Sequence, residues 1–375
     1  MKNLKEVSCR IREAVENNEK IVLFSDSDLD GITSAIMLEK SIALLGGESV
    51  VYNNNIEKEG RGLTEIAVES VRKEAPALLI TMDCGISNFR GVKKANSSGF
   101  QVIVIDHHQA VNELPEASLI LDPMQEGDNY PFKKMANAGI VYKLSKEILK
   151  ERFSKKEREF LELTTLATFA DMMPKEEDNL EIIKKGLESL KDPVNLGMRV
   201  LKKDLSEERL VEKAVFLLNT TKYLEKTTTG YHFLIAEEEE KAKKIAEELK
   251  CYYKERQELI KKAEEEAEKK VFLDEPIIFL RGSFPPFLSG TVATRVIRKH
   301  KKPVFIYTVE NGYARGSVRV PFGEDAVAMM KKCKHLLENF GGHAPAAGFR
   351  LKEGNLEEFK KCLISRGVGY EPNNL

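Results

Sequence analysis

Asp26, Asp28 and Asp30 alternate in Ser25-Asp26-Ser27-Asp28-Leu29-Asp30-Gly31, directly behind the apolar run Ile21-Val22-Leu23-Phe24. Three carboxylates this close repel one another unless cations neutralise them, so the spacing points to a metal site. Asp-x-Asp-x-Asp-Gly also opens a calcium-binding EF-hand loop. That loop follows a helix and closes with a bidentate Glu at its twelfth position. Counted from Asp26, the twelfth residue is Met37, and the residues ahead of Asp26 read as a strand, so the EF-hand is set aside.

Further chemistry-bearing residues follow. Asp83 opens Asp83-Cys84-Gly85, Asp106-His107-His108 forms a second group, and Asp171 precedes Met172-Met173-Pro174. Singly, each has a plainer use. Asp83 suits a turn, Asp171 a helix end, and a lone histidine is usually structural. Two adjacent histidines behind an aspartate, with an acidic cluster upstream, point instead to a metal. Adjacent residues face different ways, so one imidazole is expected on the metal and the other toward substrate. Imidazole with carboxylates suits Mn²⁺, Mg²⁺ less well, and zinc stays open. Cys84 is read as a small buried side chain.

The elements around these residues repeat one pattern. Helices are expected near Leu4–Asn17, Thr33–Leu45, Leu63–Glu74 and Phe89–Ser97. Strands are expected at Ile21–Ser25, Ser49–Tyr52, Ala77–Met82, Gln101–Ile105 and Leu119–Leu121, with Asp26–Gly31 a turn. Short apolar strands alternating with amphipathic helices indicate a parallel sheet wound on both faces. The acidic and imidazole groups then follow the carboxyl ends of strands, the edge where such sheets bind ligands.

From Ala138 to Leu190 the pattern is helical, including Glu157–Ala170 and Leu180–Leu190, and Pro193–Leu218 reads as helical with breaks. Ala236–Lys270, rich in Glu, Lys and Ala, reads as one long, mostly solvated helix joining two domains. An α/β pattern then restarts. Strands are expected at Pro276–Leu280, Pro303–Thr308, Tyr313–Val318 and Gly348–Leu351, with helices at Gly290–His300 and Asp325–Asn339. In this part Gly341-Gly342-His343-Ala344-Pro345-Ala346-Ala347-Gly348-Phe349 gathers small residues around one histidine, which lets backbone N–H groups approach phosphate closely. Arg295 and Arg315-Gly316-Ser317-Val318-Arg319 offer guanidinium and hydroxyl donors suited to phosphates. His232, His300 and His335 stand apart and are read as core or surface residues.

The totals bound the rest. A chain of 375 residues, 42% apolar, is globular and long enough for two or three domains. No apolar run is long enough for a bilayer, and Met1-Lys2-Asn3-Leu4-Lys5-Glu6 carries no signal core, so a cytoplasmic protein without a membrane is expected. Five scattered cysteines without a CxxC pair fit a reducing compartment and argue against a cysteine zinc site. The net charge is −1, but residues 271–375 hold 16 Lys+Arg against 10 Asp+Glu, leaving 43 against 50 for the remainder. An acidic front and a basic back suggest metal chemistry in one and an anionic ligand on the other.

DSDLDG, Asp83 after a strand, Asp106-His107-His108 and Asp171-Met-Met-Pro174 resemble the four motifs of the DHH phosphoesterase superfamily. RGSVR and GGHAPAAGF resemble its DHHA1 substrate-binding domain. The likeness is greatest to RecJ-type single-strand exonucleases, in the short archaeal form that includes the GINS-associated and Hef-associated nucleases. It implies an α/β fold in three parts: a parallel-sheet DHH catalytic domain over 1–192, a helical connector with a long charged helix over 193–272, and a smaller α/β DHHA1 domain over 273–375.

The resemblance also implies two divalent ions, Mn²⁺ preferred, with Mg²⁺ the alternative. Asp28 and Asp83 would hold one ion, and Asp30, Asp83, His107 and Asp171 the other. Many superfamily members carry a histidine where this chain has Phe24, so Asp26 would help the first ion or orient its water. His108 would contact the scissile phosphate. Arg295, Ser317, Arg319, Gly341, Gly342 and His343 match the substrate-gripping positions. The implied activity is two-metal hydrolysis of single-stranded DNA, or RNA, in replication or repair, with GINS or Hef as candidate partners. Bacterial RecJ adds an OB-fold, and none is read here, so tight, processive binding is expected to need a partner. Two rivals are carried: an oligoribonuclease or small phosphodiester or pyrophosphate hydrolase of the same superfamily, and a non-catalytic Cdc45-like replication scaffold. The full set of acidic positions and His107 weighs against the scaffold.

Overall fold

Strands buried between two helix layers are apolar on both faces, and five segments meet that description: β1 (Ile21–Ser25), β2 (Ser49–Asn53), β3 (Ala77–Met82), β4 (Phe100–Ile105) and β5 (Leu119–Leu121). In the computed structural model, which describes residues 1–109, 113–202, 205 and 207–367, they form one parallel sheet in the order β2-β1-β3-β4-β5. Alternate residues serve opposite cores. Ile21, Leu23, Leu78, Ile80, Ile103 and Ile105 pack against the helices Leu4–Glu16, Leu29–Leu44 and Asn137–Leu149. Val22, Phe24, Leu79, Val102 and Val104 pack against Glu65–Val71 and Phe89–Ser97. The helices Glu157–Ala170 and Glu177–Leu190 extend the first core.

The chain divides into two compact units at Tyr253/Lys254. Before the division lie Leu196–Lys202, Glu207–Leu218 and a small hairpin, β6 (Tyr223–Leu224) with β7 (Thr227–Thr228). The helix Glu239–Glu268 runs across the division. It is not merely a solvated spacer, because each half buries a stripe in its own unit: Ala242, Ile245, Ala246 and Leu249 in the first, Ile260, Ala263 and Ala267 in the second. These are helical spacings.

The second unit is a mixed sheet in the order β11-β12-β10-β9-β8, from β8 (Ile278–Arg281), β9 (Val304–Glu310), β10 (Tyr313–Arg319), β11 (Asn339–His343) and β12 (Ala346–Lys352). Only β8 and β9 run parallel, linked through the helix Ser289–His300. Phe305, Ala314, Val318, Ala347, Phe349 and Leu351 face a core shared with Ala326–Lys331 and Leu356–Gly367. Val304 and Ile306 face the opposite way, toward Val292, Val296 and the long helix.

The structure corrects several expectations. The helix expected from Thr33 begins at Leu29, because Asp28 is extended and its carboxylate accepts the Gly31 N–H at 3.1 Å. A capping acid and a second acid in the first turn suit a helix start better than an open turn. The helix expected over Asp325–Asn339 ends at Lys331, and β11 follows. The two glycines of Asn339–His343 masked that strand's alternation. The C-terminal helix Leu356–Gly367 and the β6–β7 hairpin were not anticipated. Cys333 and Cys362, read as separate reduced thiols, are joined by a disulfide with Cα atoms 6.1 Å apart, a pairing that a 29-residue separation conceals. Among the described residues no helix is long and apolar enough to cross a membrane.

One contact fixes the start of Leu29–Leu44. A Cβ on Gly31 would lie 2.4 Å from the Asp26 carbonyl oxygen, backbone that cannot swing aside. Gly31→Ala is expected to lower stability by at least about 1–3 kcal/mol, the usual cost of overpacking. It should read as a lower urea midpoint with an unchanged slope.

Candidate metal centre

The chain places β2 on one side of β1 and β3 on the other, so the loops after β1 and β3 diverge and leave a crevice at the carboxyl edge. Asp26, Asp28 and Asp30 follow β1, Asp83 follows β3, and Asp106, His107 and His108 follow β4. Asp171 arrives from elsewhere, at the end of the helix Glu157–Ala170.

Asp30 reaches the N-terminus of Asn137–Leu149, where its two oxygens accept the Asn137 and Ala138 N–H groups, each at 2.7 Å. Those are donors the helix cannot satisfy internally. Burial still raises Asp30 well above the ordinary carboxylate range, and the charges of Asp171 and Asp28 push the same way. Asp83 has φ +59°, a left-handed conformation uncommon outside glycine. Two acceptors hold its N–H there: the Ile105 carbonyl at 3.0 Å and the Asn137 side-chain oxygen at 3.1 Å. Burial also raises Asp83, with Asp28, Asp30, Asp26 and Asp106 adding repulsion.

His107 connects these acids. Its Nδ1 lies 2.9 Å from the Met135 carbonyl. A carbonyl only accepts, so Nδ1 carries the proton and Nε2 presents a lone pair. Burial and the charge of His108 hold the ring's pKa below its usual value. Nε2 is buried, has no hydrogen-bond partner among the described residues, and lies 3.1 Å from Asp83 Oδ1, 3.6 Å from Asp171 Oδ2 and 3.8 Å from Asp30 Oδ2. A buried lone pair facing three carboxyl groups that repel one another when ionised is satisfied together with them by a cation, and the residues therefore fit a divalent ion. Two overlapping ligand sets result, Asp30–His107–Asp171 and Asp83–His107–His108, each with ligand atoms within 4.8 Å of one another.

His108 differs. Burial lowers it, but Asp106 Oδ1 at 2.8 Å from Nδ1 outweighs that and holds the ring at about 9, cationic at neutral pH. Its side chain is 45% exposed, enough to meet a substrate. Asp106 ties the site's loops together. It accepts from the Ile86 N–H at 3.0 Å, the His107 N–H at 2.8 Å and the His108 N–H at 3.2 Å.

Asp26 and Asp28 stand outside both three-group sets. Asp26 is buried and raised to about 6, by burial first and then by Asp28, with the Arg61 charge pulling back. Asp28 is exposed and spends one oxygen on its helix cap.

Among residues that sequence reasoning missed, Asn137 matters most. Fully buried, it links Asp83, Ile105 and Ser34. A polar residue opening the apolar run Asn137–Leu149 was the available signal. Asp122, after β5, is also buried and pushed up to about 8 by burial, with Oδ1 on the Met124 N–H.

In the second unit, Ser317 and Arg319 lie on one face of β10 against Gly290, whose added Cβ would be 3.5 Å from Ser317 Oγ and 3.1 Å from Arg319 Nη2. Arg295 is engaged elsewhere, with Glu264 at 2.7 Å. Gly342, φ +139°, leaves no room for a Cβ, which would meet the Ala346 carbonyl at 2.5 Å, while Gly341 has open space. His343 ends β11, and its side chain lies outside the described residues.

Residues 20–168 match the model of the DHH family, N-terminal domain, and residues 279–366 that of the DHHA1 domain. The single-stranded-DNA-specific exonuclease RecJ of Bacillus subtilis is 32% identical over 376 residues, covering 97% of this chain and 47% of its own length. The chain thus spans about half of that relative. A crystal structure of exonuclease RecJ bound to manganese superposes with a TM-score of 0.82 at 24% identity, over 99% of this chain and 95% of that one. RecJ in complex with Mn²⁺ from Thermus thermophilus gives 0.84 at 24%, over 97% and 54%. At that identity the two structures establish shared fold.

The acids make metal binding pH-dependent in a definite sense. A carboxyl whose folded pKa exceeds its unfolded value stabilises the fold while protonated and loses that contribution as pH rises. For Asp26 the window runs from 3.8 to about 6. A cation substitutes for the lost protons. The rise in Tm on adding Mn²⁺, followed by scanning calorimetry, is therefore expected to grow as pH rises from about 4 through about 6, and further as Asp30 and Asp83 ionise above the ordinary carboxylate range. Asp83→Asn should remove most of it; a pH-independent rise, or one intact in that variant, would refute the ligand set.

Proposed function

The chain belongs to the DHH/DHHA1 superfamily, carrying a DHH domain and then a DHHA1 domain, and on that premise we propose that it is a metal-dependent exonuclease hydrolysing the phosphodiester bonds of single-stranded nucleic acid, DNA foremost. The observation that carries this reading is the unprotonated Nε2 of His107 among the carboxylates of Asp30, Asp83 and Asp171. The similarity to RecJ supports the substrate class. The GINS and Hef partners rest on the resemblance alone.

Asp30, Asp83, His107 and Asp171 would hold one ion, and Asp28 with Asp83 the other, Asp26 supporting it. Bound there, divalent ions supply a water that ionises near neutral pH and positive charge for the phosphate oxygens. His108, cationic and half-exposed, donates from its Nε2 to a phosphate oxygen, while Asp106 keeps the proton on Nδ1 and fixes the ring. Ser317 and Arg319 bind backbone phosphate with a hydroxyl and a guanidinium. The imidazole–carboxylate set supports an enzyme over a non-catalytic scaffold.

The test is digestion of end-labelled single strands with Mn²⁺. Progressive shortening is expected, with Asp83→Ala and His107→Ala slowing it by more than about 100-fold, the scale of losing preorganised charge stabilisation. Rapid cleavage of dinucleotides with long strands left intact would favour the small-phosphodiester rival. Undiminished activity in Asp83→Ala would end the catalytic assignment.

A further inference from the structure

Alternation along β10 puts Tyr313, Arg315, Ser317 and Arg319 on the face opposite Ala314 and Val318. On β12 the same face carries Ala346, Gly348 and Arg350. These β10 and β12 positions are half-buried or exposed. The face therefore has a low floor of small residues with guanidiniums standing along it.

Arg315 and Arg350 are register partners on adjacent strands. Like charges directly opposite destabilise a sheet, and little here offsets them. Arg315 is exposed and has no acidic partner among the described residues. The nearest acid to Arg350 is Glu338, 3.8 Å from Nε, and that Nε is buried without a hydrogen-bond partner among the described residues. The guanidinium of Arg350 lies over the Tyr313 ring, 4.3 Å from its centroid, a cation–π contact that restrains it. A second orphan sits beside them. Thr308, the β9 partner of Arg315, is 6% exposed, and its Oγ1 has no partner among the described residues.

We propose that Arg315 and Arg350, with Tyr313 beneath the second, form a further phosphate subsite for a single-stranded nucleic acid, one step along the strand from Ser317 and Arg319. This rests on the nuclease reading above. Alternate residues on an antiparallel strand are about 6.8 Å apart, so Arg315 and Arg319 flank Ser317 at regular intervals, as successive phosphates of an extended strand require. A phosphate between Arg315 and Arg350 accepts from both guanidiniums and relieves their repulsion.

The experiment is equilibrium binding of the full chain to a fluorescent oligo(dT) in EDTA, where nothing is cleaved, over a series of salt concentrations. Each phosphate contact to a single strand contributes about 0.7 to the slope of log K against log salt. Because both guanidiniums serve one phosphate, Arg315→Gln and Arg350→Gln are each expected to weaken binding, and the pair to reduce the slope by about 0.7. Arg350→Lys should keep the slope while weakening binding. Lys361→Gln, an exposed charge on the C-terminal helix, should leave it at the wild-type value. A slope unchanged in the double variant, or lowered equally by Lys361→Gln, overturns the subsite. A wild-type chain without salt-dependent binding overturns the nuclease reading first, and that failure is recognisable because it appears before any substitution is made.

Discussion

A lone pair that burial makes hard to protonate, set among carboxylates that cannot all be charged, is the constraint on which the first unit depends. The Met135 carbonyl commits the His107 proton to Nδ1, which turns Nε2 toward Asp83, Asp171 and Asp30. Burial has already raised Asp30 and Asp83, and the charge of Asp30 raises Asp83 further. Left to itself such a cluster takes up protons. A divalent cation does the same work for all members at once, and the buried imidazole nitrogen is the one group that protons serve poorly, because its pKa is depressed.

The scaffold around the cluster consists of devices that keep like charges together. Asp30 is anchored by two N–H groups at the start of Asn137–Leu149, a favourable place for an anion. Asp83 is kept in a left-handed backbone by the Ile105 carbonyl and Asn137. Such strain persists where the surroundings over-determine it. The close approach of Gly31 to Asp26 lets the helix begin inside the acidic stretch. Each device lies next to a ligand candidate.

Much of this was legible in the sequence, unevenly. The parallel sheet followed from apolar runs broken by helical periods, and the strands Ile21–Ser25, Ala77–Met82 and Leu119–Leu121 occur as expected. What stayed hidden was non-local or backbone-based. Asn137 reveals its role only when its helix meets β3 and β4. Met135 contributes a carbonyl, which any residue would supply. The strand β11 escaped because Gly341 and Gly342 have no side chains to alternate, and the Cys333–Cys362 link because 29 residues intervene.

The two units carry opposite electrostatic debts. In the first, buried carboxylates await positive charge. In the second, Arg315 and Arg350 face each other across a strand pair and await negative charge. Neither arrangement favours stability, since each sets like charges on neighbouring positions, and a sequence optimised for folding alone would remove both. Unfavourable like charge kept within a unit points to a ligand of the opposite sign at that place, cationic for the carboxylates of the first unit and anionic for the guanidiniums of the second.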